Sequence, residues 1–131
     1  MSLQDPIANF LNIIKNGYRV HKPSVTLDFS RVTVSILTVM KEQGSIRDFS
    51  VDESGQFKKI IVELSYVDGK SALRHVKRIS KPSIRVYKKY SEMPRIKNGL
   101  AYGIVSTNQG MMTTQQAVHS KIGGELICEI D

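Results

Sequence analysis

A short polar turn between two apolar segments is the clearest structural signature in this chain. Residues 100–105 form an apolar run that predicts a buried strand. Shortly after it, Thr113 and Gln116 stand three residues apart in a capping-box pattern that predicts the start of a short helix. Between the two segments lie the small polar residues Ser106, Thr107, Asn108 and Gln109. This pattern predicts a strand, a polar turn and a helix in direct succession.

The turn also suggests a chemical role. Small hydroxyl and amide side chains can approach sugar, phosphate and base edges closely, because they do not block the approach of a nucleic acid backbone. The residues of this turn therefore predict fitted contacts to a shaped polar target.

The positive charge of the chain is concentrated in one segment. The 131 residues carry a net charge of +7, and residues 70–97 contain ten Lys and Arg against the single acid Glu92. The remainder of the chain is slightly acidic, with a net charge of −2. Such a field attracts a polyanion, although charge alone also fits an ordinary solvated surface. Without a long amphipathic helix in the segment, we expect no membrane binding.

Composition excludes several other classes of protein. The 40% apolar content suits a folded domain, and no apolar run reaches the roughly 20 residues that span a bilayer. The early Asp5 and Pro6 do not fit the basic-then-apolar pattern of an export signal, so we expect none. Cys128 is the only cysteine, which excludes a disulfide framework and a zinc site built on cysteines.

The N-terminal half predicts alternating helices and strands. The apolar spacing predicts a helix from Pro6 to Lys15, with Asp5 as N-cap and Asn16-Gly17 as its end. A short strand follows at residues 25–27. Ser30 could cap a second helix ending at Gly44, although the alternation of Val32, Val34 and Ile36 also fits a strand. Strands are predicted at residues 45–51 and 57–65, joined by a turn in which Gly55 stands at a position that tolerates positive φ.

The C-terminal half predicts mostly strands. Residues 67–70 predict a turn, where we place the boundary between an N-terminal lobe of residues 1–67 and a C-terminal lobe of residues 68–131. Apolar and basic residues alternate beyond it, and residues 125–130 predict a last strand. The expected fold is α+β in two small lobes, with a helix–strand–helix–strand–strand lobe followed by an antiparallel lobe carrying one short helix.

The sequence carries no sign of catalysis. His21, His75 and His119 are scattered, and Cys128 lies in an apolar strand where a free thiol usually behaves as a small buried hydrophobe. P-loop, dinucleotide-fingerprint and zincin motifs are all missing. We therefore expect no enzyme, no catalytic residue, no metal site and no cofactor.

A basic strand is the second candidate for binding. Its cations would neutralise phosphates, and its aromatic residue Tyr87 could stack on a base or bond to a sugar. An alternative for Tyr87 is a partly buried core position with only the hydroxyl at the surface. The cations of this strand are Lys81, Arg85, Lys88 and Lys89.

Several blocks, in the same order along the chain, resemble one known family. They are residues 4–11, 80–82, 85–88, 94–96, 105–113 and 123–128. Together they make the chain similar to the family of small-subunit ribosomal protein eight, of the bacterial type. The resemblance implies a non-catalytic protein that binds the central domain of small-subunit ribosomal RNA directly, helps to assemble the platform, and grips an irregular RNA helix through its minor groove. It further implies ribosomal proteins five and twelve as neighbours, repression of the protein's own operon messenger RNA, and a place on the cytoplasmic ribosome, or on an organellar ribosome if an organelle encodes the chain. The runner-up is a non-ribosomal regulator that binds structured RNA.

The resemblance also assigns residues. It implies RNA contacts by the turn and the basic strand described above, with Glu125 supporting the turn. With less weight it implies first-lobe contacts at Asp5, Pro6, Ser30 and Arg31.

The chain departs from the family pattern at a few positions. Asn108 and Gln109 stand where serine and lysine are commoner, so an amide remains for hydrogen bonding but one positive charge is lost. Ser83 stands where glycine is common and must tolerate or shift the local backbone. These changes are expected to affect the strength of binding more than its target.

Overall fold

The protein was analysed as a computed structural model, which describes residues 5–93 and 101–131. The contacts between residues divide the chain into two compact units. Pro6–Arg74 form the first, here called the helical unit, and Asp5 joins the described residues from His75 to Asp131 in the second, here called the sheet unit. This division falls at Arg74, seven residues beyond the boundary expected from the turn. Whether either piece is an independent folding domain stays a prediction.

The helical unit packs two helices on a three-stranded antiparallel sheet. Its elements are α1 (Pro6–Arg19), β1 (Ser24–Asp28), α2 (Arg31–Glu42), β2 (Asp48–Asp52) and β3 (Lys59–Glu63), followed by the hairpin of β4 (Tyr66–Val67) and β5 (Lys70–Ser71). The strand order is β1-β3-β2. Its core is built from apolar side chains that recur at helical spacing in α1 and α2 and at every second position of β1 and β3, among them Phe10, Ile14, Ile36, Met40, Val25, Leu27, Ile60 and Val62.

Two details of this unit differ from expectation. The first helix does not end at Asn16-Gly17 but runs to Arg19, and Gly17 is buried within it. A Cβ at Gly17 would lie 2.5 Å from a methyl group of Val25, so this glycine serves the close approach of helix and strand rather than a helix end. Gly55 does not adopt positive φ. Asp52 instead organises that loop by accepting hydrogen bonds from the Ser54 amide and hydroxyl.

The helical interpretation of residues 30–43 is confirmed. Ser30 occupies the N-cap position with extended backbone, but its side chain makes no capping hydrogen bond. Gly44 follows the helix at a φ of +82°, as expected for a helix end.

The sheet unit is an antiparallel sheet with one short helix, so the predicted fold class is confirmed. Its elements are β6 (Val76–Arg78), β7 (Tyr87–Lys88), a single 3-10 turn (Tyr90–Glu92), β8 (Tyr102–Thr107), β9 (Gly110–Thr113), α3 (Thr114–His119) and β10 (Gly124–Ile130). The strand order is β6-β10-β8-β9, and β7 also pairs with β10. Among the described strands of this unit, the central strand β10 therefore pairs with all except β9.

The signature turn is confirmed in its position but not in its extent. Ser106 and Thr107 continue β8 rather than belonging to the turn, and β9, which the sequence did not predict, separates the turn from α3. Only Asn108 and Gln109 link the two strands. The capping box is confirmed, because Thr113 Oγ1 accepts from the Gln116 amide at 3.1 Å while Gln116 Oε1 accepts from the Thr113 amide at 2.9 Å. Leu100 lies outside the described residues.

Candidate RNA-binding surface

Strand β10 brings the two predicted binding segments together. Glu125 is paired with Tyr87 of β7 on one side and with Ser106 of β8 on the other. Adjacent strands lie about 4.8 Å apart, so Tyr87 and Ser106 are separated by about 10 Å across Glu125. The predicted basic strand is wrong in its extent, because only Tyr87 and Lys88 form a strand and Lys81, Arg85 and Lys89 lie outside it. The basic segment and the polar turn, which are distant in sequence, are nevertheless parts of one surface.

The register also decides which face of the sheet these residues occupy. Leu126, Val105 and Met112 are neighbours across the strands, and they pack with Met93 and Ala117 in an apolar cluster. Residues directly opposite one another point to the same face, and successive residues alternate. Tyr87, Glu125 and Ser106 therefore lie on the opposite face of the sheet from that cluster. This opposite face is open to a partner.

Two glycines let the strands meet at this point. A Cβ on Gly124 would overlap the Ser106 carbonyl oxygen, and a Cβ on Gly123 would lie 2.7 Å from the Lys88 carbonyl oxygen. Both obstacles are backbone atoms of the flanking strands, which have no room to yield. The Gly-Gly-Glu sequence is therefore a structural requirement for joining β7 and β8 around Glu125.

Glu125 organises the loop before β7. Its Oε2 accepts a short hydrogen bond from the Ser80 hydroxyl and a hydrogen bond from Arg85 Nη1 at 3.1 Å. Ser80 is fully buried, and its Oγ also accepts from the Val86 amide at 3.2 Å. Reciprocal backbone hydrogen bonds between Lys81 and Ile84 close the loop. The resemblance implied that Glu125 supports the turn. Its backbone lies opposite Ser106 in the sheet, and its carboxylate bonds to the basic loop.

Sequence reasoning missed Ser80 as a site residue. A serine before Lys-Pro looks like an ordinary loop residue, and only its complete burial beside a carboxylate reveals its function as a bridge. The structural roles of Gly123 and Gly124 were also missed, although two glycines directly before the glutamate of a strand were a readable signal of close backbone approach.

The basic residues of this surface are not equivalent. Lys81, Arg85 and Lys89 are exposed, whereas Lys88 is half-buried. Tyr87 is 69% exposed, so the alternative of a partly buried core position is wrong. Ser83 lies in the exposed loop without positive φ, so it adopts an ordinary backbone conformation.

The turn itself is held by Thr107. Its hydroxyl donates to the Gly110 carbonyl oxygen at 2.8 Å and accepts from the Gln109 amide at 3.0 Å. Thr107 is therefore occupied in shaping the turn, while the side chains of Asn108 and Gln109 are exposed. The strands and loops joined at Glu125 carry a set of residues that we call the Glu125 surface. Its members are Lys81, Arg85, Tyr87, Ser106, Asn108 and Gln109.

The remaining predicted contacts lie elsewhere. Asp5 belongs to the sheet unit, where its carboxylate pairs with Arg78 at 3.1 Å in a largely buried ion pair. Pro6 is the first residue of α1, and Ser30 and Arg31 stand at the start of α2, so these three belong to the helical unit. The pairing of Arg78 also removes one of the ten cations of the basic segment from the charge that is free to attract a polyanion. Arg95 and Lys97 lie outside the described residues.

The structure gives no support to catalysis at the candidates considered. Cys128 is completely buried, and this burial raises the pKa of its thiol to about 12. The His21 ring stacks on Tyr66. Among residues 5–93 and 101–131, no three or more His, Cys, Asp and Glu side chains converge as a metal site would require. Nor does any helix within those ranges have the length and apolar character needed to cross a membrane.

Known proteins resemble this chain along almost its whole length. Residues 5–130 match the family model for ribosomal protein S8. Small ribosomal subunit protein uS8 of Ruthia magnifica subsp. Calyptogena magnifica is 45% identical over 130 residues, and that of Tolumonas auensis is 43% identical over 131 residues. The protein of the same name from Cupriavidus metallidurans is 40% identical over 130 residues. Each match covers 99% of this chain and 99% of the relative.

The fold and these matches define a class, that of structural ribosomal proteins, which are parts of a ribonucleoprotein and not enzymes. Within that class, the chain belongs to the ribosomal protein S8 family, whose role lies in the small ribosomal subunit. The resemblance drawn from the sequence is thereby confirmed, and with it the expectation that the chain is not an enzyme.

Proposed function

We propose that this protein is a primary binder of small-subunit ribosomal RNA, that it contacts the central domain through the Glu125 surface, and that it helps to assemble the platform of the subunit. The observation that carries the proposal is the pairing of Tyr87, Glu125 and Ser106 across three strands on an open face. This pairing puts an exposed aromatic ring, exposed cations and a polar turn on one rigid support.

Each part of the surface has a distinct role in such binding. Lys81 neutralises phosphates, which gives affinity without sequence preference. Arg85 is paired with Glu125 through Nη1, and its other guanidinium N–H groups donate to phosphate oxygens. The exposed ring of Tyr87 stacks on a base or packs on a sugar. Asn108 and Gln109 reach the shallow minor groove, where their amides donate and accept hydrogen bonds. Ser80 and Glu125 do not contact RNA in this proposal. They hold in place the loop that carries Lys81 and Arg85.

Chemical probing of protein-free small-subunit ribosomal RNA tests this proposal. We expect the full-length protein to protect nucleotides concentrated in the central domain. Tyr87→Ala should weaken that protection, whereas Phe57→Ala, which removes an equally exposed ring (71% exposed) from the helical unit, should leave it unchanged. Protections outside the central domain would overturn the target, and equal losses in both variants would overturn the surface.

The same surface would bind any RNA that presents the same shape. We therefore also propose that the protein represses its own operon by binding a messenger RNA that mimics the ribosomal site, and that proteins five and twelve of the small subunit are its neighbours on a cytoplasmic ribosome. A leader RNA from the operon should compete with the central-domain fragment for the wild-type protein. Tight binding of that leader by a protein that fails to join small subunits would favour the regulator over the ribosomal role.

A further inference from the structure

A second concentration of positive charge lies on the helical unit. A cavity of about 510 Å³ is lined by residues from the end of α1 and from the region of the β4–β5 hairpin. Cavities of this size accommodate small ligands or parts of larger ones. Its lining, drawn from the described residues, contains no Asp or Glu, and its formally charged members are Lys15, Arg19, Lys70 and Arg74.

Local structure explains why these cations converge. Lys15, Tyr18 and Arg19 stand at helical spacings of three and four, so they share one face of α1. In the hairpin, Asp68 and Gly69 have φ angles of +52° and +76°, which is the geometry of a tight two-residue turn. The chain therefore reverses at once and sets Lys70 directly opposite Val67.

An aromatic cluster makes this side of the helical unit rigid. The Tyr18 hydroxyl donates to the Ser45 carbonyl oxygen at 2.6 Å and accepts from the Ser65 amide at 3.0 Å. The Tyr18 and Tyr66 rings meet edge to face at 5.4 Å, and the His21 ring stacks on Tyr66 at 5.5 Å. Tyr18 and His21 both line the cavity, so its wall is formed before any ligand arrives.

Lys15, Arg19 and Lys70 differ from other cations on the same unit. Lys41, Lys58 and Lys59 each form an ion pair with a nearby carboxylate. Lys15, Arg19 and Lys70 form no ion pair with any residue in the described ranges. Like charges held together without counter-charges repel one another, and a bound anion would relieve that repulsion.

We infer that this cavity is a second anion site, separate from the Glu125 surface, which binds phosphate groups. Its cations come from α1 and from the region of the β4–β5 hairpin, so a phosphate in the cavity would have charged donors on two elements for charge-assisted hydrogen bonds. Two sources supply that chemistry, namely a free nucleoside polyphosphate and the backbone of an RNA strand.

Calorimetric titration of the full-length protein distinguishes the sources. The probes are inorganic pyrophosphate, ATP and a ten-nucleotide oligouridylate at constant ionic strength. The test variant carries Arg19→Gln and Lys70→Gln. The matched control carries Arg47→Gln and Lys58→Gln, which also removes one arginine and one lysine from exposed positions of the helical unit but leaves the cavity lining intact. Thermal unfolding of both variants verifies that they are folded.

We expect the test variant to weaken binding by about tenfold and the control by less than about twofold, as for the loss of direct charge-assisted contacts. A loss seen with pyrophosphate and ATP identifies a free polyphosphate as the ligand, and a loss seen with oligouridylate alone identifies an RNA backbone. If no probe distinguishes the two variants, the site does not exist. None of these outcomes involves Tyr87. The RNA-probing test of the Glu125 surface is therefore independent of this titration.

Discussion

At the scale of single residues, the geometry of the Glu125 surface depends on a glycine without a side chain and on one buried serine hydroxyl. Gly124 has no Cβ, and only for that reason can β8 approach β10 beside Glu125. Ser80 illustrates the opposite case, because a single buried hydroxyl joins a carboxylate to the backbone of the basic loop. In both cases one small residue determines the geometry of a surface that is several residues wide.

Replacing Gly124 by alanine is therefore expected to destabilise the protein. The new methyl group would overlap the Ser106 carbonyl oxygen, and we expect a loss of about 1–3 kcal/mol in the free energy of unfolding measured with urea. Gly55→Ala is the matched control, since its nearest neighbour would lie at an ordinary 3.8 Å and its φ is not positive. Equal stability of both variants would show that the strands have room to separate.

Cys128 makes a prediction about pH. Burial raises the pKa of its thiol to about 12 in the folded protein, whereas a thiol in the unfolded chain titrates near 8.5. Below about pH 8.5 both states keep the proton and stability is unaffected. Above it only the unfolded chain loses the proton, so the free energy of unfolding should fall as pH rises, with a slope approaching about 1.4 kcal/mol per pH unit.

Urea unfolding between pH 8 and pH 10 measures this effect. The Cys128→Ala variant lacks the thiol and should show a shallower decline than the wild-type protein. Tyr18, whose pKa burial also raises, contributes equally to both proteins and cancels in the comparison. Parallel declines would mean that the thiol is not protected from ionisation in the folded state.

At the scale of secondary-structure elements, the β8–β9 hairpin is built as a support for a two-residue tip. Thr107 fixes the turn from inside, which leaves the amide of Asn108 exposed at its end. A rigid, exposed amide is suited to reading a groove, because little conformational entropy is lost when it binds.

Asn108→Ala is expected to weaken binding to the central-domain fragment by about 1–3 kcal/mol, which is the usual range for one base-reading contact. Binding to a scrambled duplex should not change, because phosphate contacts remain. Gln115→Ala, which removes an exposed amide from α3 of the same unit, should have no effect on either RNA. The interpretation fails if Asn108→Ala and Gln115→Ala behave alike.

The loop between β6 and β7 should contact phosphates of any RNA, whereas the β8–β9 hairpin should distinguish one RNA from another. Lys81 is exposed and directly follows the buried Ser80. Its replacement by alanine should weaken binding to all RNAs about equally and lower the salt dependence by roughly one phosphate contact. Lys77→Ala, an exposed lysine opposite Glu129 near the far end of β10, is the control. An unchanged salt slope for Lys81→Ala would show that this lysine does not contact phosphate.

The sequence predicted most elements and their order because apolar periodicity and capping residues are local signals. It failed where the deciding contact is distant along the chain. By local pattern Gly17 is typical of a helix end, but in the structure Val25 occupies the space that a side chain at Gly17 would need. Strand β9 has no alternating pattern of its own and exists because β8 pairs with it. The grouping of Tyr87, Glu125 and Ser106 likewise follows from register, which short-range patterns do not specify.

At the scale of the whole molecule, the basic residues of the charged segment are divided between the two units. The sequence placed its excess charge in residues 70–97, but Lys70 and Arg74 belong to the helical unit and the described cations from Lys77 to Lys89 to the sheet unit. Some of these cations are already paired, as Arg78 is with Asp5 and Arg85 with Glu125. We therefore expect overall charge to attract RNA and the fitted contacts of the Glu125 surface to select among RNAs.

The most direct test of this central claim is a binding titration at several salt concentrations. The full-length protein would be titrated with a fragment of the small-subunit ribosomal RNA central domain and with a scrambled duplex of equal length. We predict that binding to the duplex is lost steeply as salt rises, while a strong preference for the fragment persists at high salt. Equal affinities for the two RNAs, with the same steep salt dependence, would contradict it, because the charge alone would then account for binding.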